Sequence, residues 1–430
     1  MLRYLRREFS FMRGNVLVIT MTRVLGMFCR SMVFPYASLY ILALGGEPEQ
    51  IGLINSLRPL AGLLVFPLAG YLSDHIGRVK LIVVGGYLSG LIILLFVLAP
   101  GWQIVALAGF IKGFMVFQFP PSSALIADSV VPENRGKGNA MMNTISGALA
   151  IFSPYIAGWV VDIYGDNRGM RILYTVMMIA YLVAATLNLL YLKETRAPAK
   201  NRLKISQLPQ VFKNAYLTIL PHLSRLPRSL TALFFIILLG FLANAVASPF
   251  WVVYVIEKIG LAKTEWGFIL LIETLLRVGL YVPVGLVIDK YGRAPFIKLS
   301  LFLASVAISI LVFATTFKQV LLIRAVMAEA NVFFLPACCA LMADLIPRPL
   351  RGQVMAAVGR GTVLLGASSG GTGGPGMGFL ITLPVMLGSL GGGYLYALNS
   401  NLTWLFAAGT AVISLLLALF YIRDAPNAHN

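Results

Sequence analysis

Runs of about twenty apolar residues recur along the whole of this chain, and each is long enough to cross a bilayer as an α-helix. Backbone in lipid must be hydrogen-bonded within the protein, so only helices and closed barrels can span. A barrel would show ten-residue segments of alternating polarity, and the sequence has none. Twelve spans can be placed, at roughly 14–44, 50–72, 80–99, 102–128, 138–164, 170–192, 229–256, 264–287, 296–317, 319–345, 378–398 and 400–422. Charged residues make up 12% of the chain against 59% hydrophobic, too little charge to clothe a soluble protein of this length. The expected fold class is an all-α membrane protein with twelve transmembrane helices.

The net charge of +18 raises the question of nucleic acid, but its distribution answers differently. Segments on one side of the predicted membrane hold 23 of the 34 Lys and Arg, and the opposite loops hold five (Arg168, Arg171, Lys258, Lys263, Lys318). That asymmetry follows the positive-inside rule and puts both termini in the cytoplasm. The charge is then a topology signal, and no nucleic-acid partner is expected; the partner is the lipid bilayer. The basic N-terminus leads into some thirty apolar residues with no small-residue cleavage site, which reads as an uncleaved first helix. Cys29, Cys338 and Cys339 all fall within spans, so no disulfide framework, metal cluster or cofactor follows from them.

The chain repeats itself. GYLSDHIGR at 70–78 returns as GLVIDKYGR at 285–293, 215 positions on, half the length of the 430-residue chain. Gly70, Asp74, Gly77 and Arg78 thus match Gly285, Asp289, Gly292 and Arg293. ALIAD, ending at Asp128, is matched by ALMAD, ending at Asp344, and Arg135 by Arg351, both 216 positions on; Gly52 is matched by Gly267. The spacing divides the chain into two six-helix bundles, 1–192 and 229–430, joined by a basic, Pro-dotted linker at 193–228. A solute site is expected near mid-membrane between such repeats. The second half carries about nineteen extra residues, including the Gly-rich stretch 366–378. Glycine weakens helix interiors, which favours a cytoplasmic insertion with 352–365 as an amphipathic helix on the membrane face over a broken eleventh helix lining a cavity.

The doubled phrase resembles the signature loop between helices 2 and 3 of the major facilitator superfamily and its echo between helices 8 and 9. The resemblance implies two pseudo-symmetric bundles that alternate access to a central site. It also implies that Asp74, Arg78, Asp128, Arg135, Asp289, Arg293, Asp344 and Arg351 form an interbundle latch on the cytoplasmic side. Glycines before the aspartates, Gly70 and Gly285, would let neighbouring helices approach closely. This chain departs from the family pattern at His75 and Lys290, where arginine is usual, and at Val79 and Ala294, where a second basic residue is usual. The drug-antiporter pattern is partial: Gly109 stands where that group has arginine in helix 4, and Ser153-Pro154-Tyr155-Ile156-Ala157-Gly158 stands for its Gly-Pro-x-x-Gly-Gly turn.

Charge at bilayer depth is costly and marks a pathway or a partner. Arg23, Arg30, Arg58, Lys112, Arg277 and Arg324 lie within spans, against only Glu273 and Glu329. Arg30 is too deep to snorkel, Arg58 and Glu273 are equivalent positions of the two halves, and Glu273 and Arg277 are spaced to neutralise each other along one helix. Lys112 and Glu329 could pair across the bundle interface. Arg30, Arg58, Lys112, Glu273, Arg277 and Glu329 are therefore the candidate solute and ion pathway. The cationic surplus favours an anionic or amphiphilic small organic solute, with protons carried by Glu329 or Glu273. The expected activity is proton-coupled efflux across the cell membrane, plasma or bacterial and archaeal inner, by a monomer. An uptake symporter, or an uncoupled sensor or lipid scramblase of the same shape, is the alternative. No His-Glu-x-x-His or other catalytic constellation accompanies the three histidines, so no enzyme is expected.

Overall fold

The computed structural model describes residues 13–130, 135–195, 227–346, 351–359, 361–368 and 377–424, with side chains placed for all of these but 66–75, 135–137, 139–140 and 352. Among the described residues the chain forms helices and no β-strand. The first half comprises α1 (Asn15–Ala43), α2 (Pro48–Ile76), α3 (Arg78–Leu98), α4 (Trp102–Ser129), α5 (Arg135–Ala150, resuming at Ser153) and α6, which ends at Tyr191. Gly165, at φ 76°, breaks α5 from α6. The second half comprises α7 (Arg228–Lys258), α8 (Lys263–Tyr291), α9 (Ala294–Leu311), α10 (Phe317–Leu345), α11 (Arg351–Val358 and Phe379–Leu398) and α12 (Ser400–Tyr421). Large apolar side chains such as Val282, Phe313, Leu398 and Phe420 point outward, more than two-thirds exposed. On a soluble protein such a surface would be a liability, whereas lipid accepts it.

Gly77 and Gly292 explain one part of the doubled phrase. Each ends a helix with a positive φ, 99° and 88°, that a side chain would strain. The sharp turns α2–α3 and α8–α9 depend on them. Gly285 has no such duty: a Cβ there would meet open space, so close helix approach is not its role.

The halves meet at the face opposite the doubled phrase. There α2 crosses α11 and α8 crosses α5, at equivalent places in the repeat. A Cβ on Gly52 would lie 2.6 Å from the Ser389 carbonyl and 2.9 Å from Gly393 Cα, so the backbones touch. Gly267 and Gly158 make the matching contact on the other side of the pseudo-axis. Tyr36 Oη lies 2.8 Å from the Pro154 carbonyl and 3.0 Å from that of Lys263, and Ser38 donates to the Pro249 carbonyl at 2.6 Å. Asp162 caps α8, accepting from the backbone N–H groups of Lys263 (3.2 Å) and Thr264 (2.7 Å), while Lys263 Nζ reaches Asp166 at 3.2 Å. These hydrogen bonds and the Lys263–Asp166 ion pair join the halves at this face.

The insertion in α11 differs from the expectation. Only 351–358 is helical, and 361–368 runs irregularly, with a turn at 365–366, packed within the second half instead of lying on the membrane face. Val354, Ala357, Val358, Val363 and Leu365 are all buried, an apolar content that a headgroup location would waste. Non-helical backbone at this depth must be bonded within the protein, and two asparagines do it. Asn244 of α7 donates to the Leu364 carbonyl (2.6 Å) and accepts from the Ala367 N–H (2.9 Å). Asn331 of α10 donates to the Leu365 carbonyl (3.0 Å) and accepts from its N–H (2.7 Å). Each amide, with a donor and an acceptor, satisfies both kinds of backbone group in the segment. Gly359 and Met377 bridge at the neck where the insertion leaves and rejoins α11; residues 369–376 lie outside the described residues.

Replacing Asn331 by Leu removes one donor and one acceptor from Leu365. It should destabilise the protein by roughly 2–4 kcal/mol, read as a clear drop in the unfolding midpoint of detergent-purified protein. An unchanged midpoint would mean that the segment is not held as described.

Candidate functional site

Three cations converge in the first half. Gly113 brings α4 against α2, since a Cβ there would lie 2.5 Å from the Arg58 carbonyl, and this sets Lys112 beside Arg58. The guanidinium groups of Arg30 and Arg58 both lie 5.3 Å from the centroid of Phe34, so two cations share one aromatic ring. Lys112 Nζ sits 4.5 Å from the ring centroid of Tyr181 on α6, buried and without a hydrogen-bond partner. The three charges lie within electrostatic reach of one another.

Arg58 and Lys112 line a pocket with Ser38, Asn55, Tyr174 and Phe34, walled by aliphatic side chains including Ile41, Ile54, Ile93, Val105 and Met177. No Asp or Glu lines it. Gly109 also faces the pocket, leaving room where a drug antiporter would project an arginine.

The second half closes its charge internally. Arg324 donates through Nε (3.0 Å) and Nη2 (2.5 Å) to one oxygen of Glu273, and through Nη1 to the Gly366 carbonyl at 2.8 Å. Its guanidinium lies 4.5 Å from the ring centroid of Trp251 and 5.9 Å from that of Trp266. Arg324 is 1% exposed and Glu273 6%. Spacing along α8 pointed to Arg277 as the partner of Glu273; packing of α10 against α8 supplies Arg324 instead. The Lys112–Glu329 pairing is also absent: Glu329 is exposed on α10, and among the described residues neither it nor Arg277 makes an ion pair. Arg23 donates to Asn143 of α5 at 2.9 Å. Of the six pathway candidates, the structure unites Arg30, Arg58 and Lys112, commits Glu273 elsewhere, and leaves Arg277 and Glu329 outside both groups.

At the face of the doubled phrase the ion pairs are internal to each half. Arg78 pairs with Asp128, and Arg293 with Asp344 at 2.8 Å, an equivalent contact in the repeat. Arg351 donates to the Ala343 carbonyl at 2.6 Å and not to Asp344. Asp289 is exposed. Gly70, Asp74 and the side chain of Arg135 lie outside what is described. Of the residues expected to form a latch, Arg78 and Arg293 are each engaged by an aspartate of their own bundle.

Two further carboxylates complete these clusters. Glu194 accepts from the Val79 N–H at 3.0 Å, and Asp424 accepts from the N–H groups of Arg293 (2.8 Å) and Ala294 (3.0 Å), so each caps the helix that follows the phrase. Their signal was available as Lys193-Glu194 after α6 and Arg423-Asp424 after α12, each a basic–acidic pair following an apolar span. Asp162, Asn244 and Asn331 were also missed, the asparagines because a survey of ionisable residues passes over amides.

The sequence profile of the Major Facilitator Superfamily matches residues 19–242 and 233–430, so that both bundles are covered. The chain belongs to this superfamily. It is 24% identical over 413 residues to an uncharacterised MFS-type transporter of Methanocaldococcus jannaschii, covering 94% of each chain. It is 25% identical over 338 residues to the multidrug resistance protein MdtG of Salmonella schwarzengrund, covering 75% of this chain and 79% of that protein. The crystal structure of a point mutant of the nucleoside transporter NupG superposes with a TM-score of 0.69 at 14% identity, over 95% of this chain and all of that one. The protein is a two-bundle, twelve-helix secondary transporter of this superfamily.

The two charged centres predict opposite mutational effects. Arg324→Met strands a buried carboxylate and should cost about 3–5 kcal/mol. Lys112→Met removes a buried charge that has no ionic partner and should leave the unfolding midpoint unchanged or raise it. Thermal unfolding of the two purified variants checks the pair; a loss on Lys112→Met comparable to that on Arg324→Met would make Lys112 structural.

Proposed function

We propose that this transporter exports a small organic anion by alternating access, binding it at Arg30, Arg58 and Lys112. The observation that carries the reading is the pocket itself: Arg58 and Lys112 line it with no carboxylate, and Arg30 shares the Phe34 ring with Arg58 at its edge. A buried charge without a partner is expensive, and a bound anion offsets that cost where attraction is strengthened by low dielectric. The apolar walls suit an amphiphilic body.

The positive-inside count assigns the face of the doubled phrase, and both termini, to the cytoplasm of a cell membrane. With the halves bonded at the opposite face, the structure then corresponds to the state open inward, ready to load solute from the cytoplasm. The multidrug resistance protein among the relatives favours export over uptake. Proton coupling falls to Glu329, since Glu273 is committed to Arg324. The clasps Arg78–Asp128 and Arg293–Asp344 keep each bundle rigid while it rocks, and Asp289, exposed in this state, is free to engage the other half when the cytoplasmic side closes.

Reconstituted into proteoliposomes, the protein should move an organic anion in response to an imposed pH gradient. Arg58→Ala and Arg30→Ala should reduce flux by at least about tenfold with expression intact, the loss of one charge-assisted contact or more. Glu329→Gln should uncouple flux from the gradient. Flux unchanged in both arginine variants would remove them from the pathway.

A further inference from the structure

Resting on the anion reading, we propose that the transported solute carries two negative charges on one head group, as a phosphate monoester or a malonate-type dicarboxylate does, attached to an apolar body. The charge count of the site carries this. Arg58 and Lys112 line the pocket, Arg30 shares the Phe34 ring with Arg58, and no acid lines the pocket. The second half adds no net charge to the balance, since Arg277 and Glu329 are opposite in sign and neither lines the pocket. Glu273, the equivalent of Arg58, is neutralised by Arg324, and the amides of Asn244 and Asn331 are taken up by the segment 364–367. The solute must therefore supply the counter-charge. A monoanion would leave one of the two pocket-lining cations unmatched; a dianion matches both, with Arg30 beside Arg58.

The kinds of donor agree with that count. Arg30 and Arg58 are partly satisfied by the shared face of Phe34, and their planar forks suit two oxygens of one head group. Lys112 is a point charge that lines the pocket, and its ammonium is buried over Tyr181 and unbonded, which marks it as the contact for a further oxygen. Beyond the charged end, the walls are Ile41, Ile54, Ile93, Val105 and Met177, with Phe96 stacked on Tyr174 at a centroid distance of 5.0 Å. A flat apolar body is matched by these surfaces.

The test uses purified full-length protein at pH 8, where a phosphate monoester is fully dianionic, and four probes with one aryl body. These are the aryl phosphate, the aryl malonate, the aryl sulfonate and the methyl aryl phosphate diester. The sulfonate keeps the tetrahedral head of the phosphate with one charge fewer. Calorimetric binding should be at least about tenfold tighter for either dianion than for the monoanions, a tenfold ratio being worth about 1.4 kcal/mol. Preference for the phosphate or for the malonate among the dianions supports the proposal either way and identifies the head group. In Lys112→Met, and in Lys112→Gln as a second variant, the dianion should weaken toward the sulfonate while sulfonate affinity changes little. Equal affinity for phosphate and sulfonate, unaffected by Lys112, would overturn the dianion proposal and leave the anion reading standing. Binding of none of the four probes would overturn both.

Discussion

A charge or a backbone amide within a bilayer has no water to turn to, so each must find its partner in the protein or in what the protein carries. The two halves of this chain meet that constraint in different ways. In the second half Glu273 and Arg324 neutralise each other under Trp251 and Trp266, and Asn244, Asn331 and Arg324 bond the irregular segment 364–367. In the first half Arg30, Arg58 and Lys112 receive aromatic faces but no acid. The buried acid of the second half is thus paired within its own bundle, whereas the cations of the first half are not.

The pseudo-symmetry sharpens the contrast. Equivalent positions keep the same mechanical duties: Gly77 and Gly292 turn, Gly52 and Gly267 let the bundles touch, Arg78 and Arg293 clasp an aspartate of their own bundle. Arg58 and Glu273, equivalent in the repeat, have diverged: Arg58 lines the first-half pocket and Glu273 pairs with Arg324. The joints of the machine are duplicated while its binding chemistry is not.

Much of the fold could be read from hydropathy alone, because lipid enforces helix length so strictly. The last two spans, placed at 378–398 and 400–422, are helices at Phe379–Leu398 and Ser400–Tyr421, and the end placed at 164 falls one residue before the break at Gly165. The insertion was misplaced because its burial depends on Asn244 and Asn331, neutral residues that a charge inventory does not weigh. The partner of Glu273 was misjudged for a related reason: Arg277 is four residues away on one helix, whereas Arg324 arrives through packing between positions 51 residues apart. Local periodicity sees the first kind of neighbour and not the second. Arg30, Arg58 and Lys112 were each singled out by depth, but their convergence on Phe34 and Tyr181 needed the crossing of α2 and α4 at Gly113.

The central claim is that the first-half pocket is built for negative charge. Thermal unfolding of the purified protein, measured across matched panels of organic anions, lipophilic cations and sugars, tests it most directly. Stabilisation by anions alone, abolished in Arg58→Ala, is the predicted result. Stabilisation by lipophilic cations alone would contradict the account.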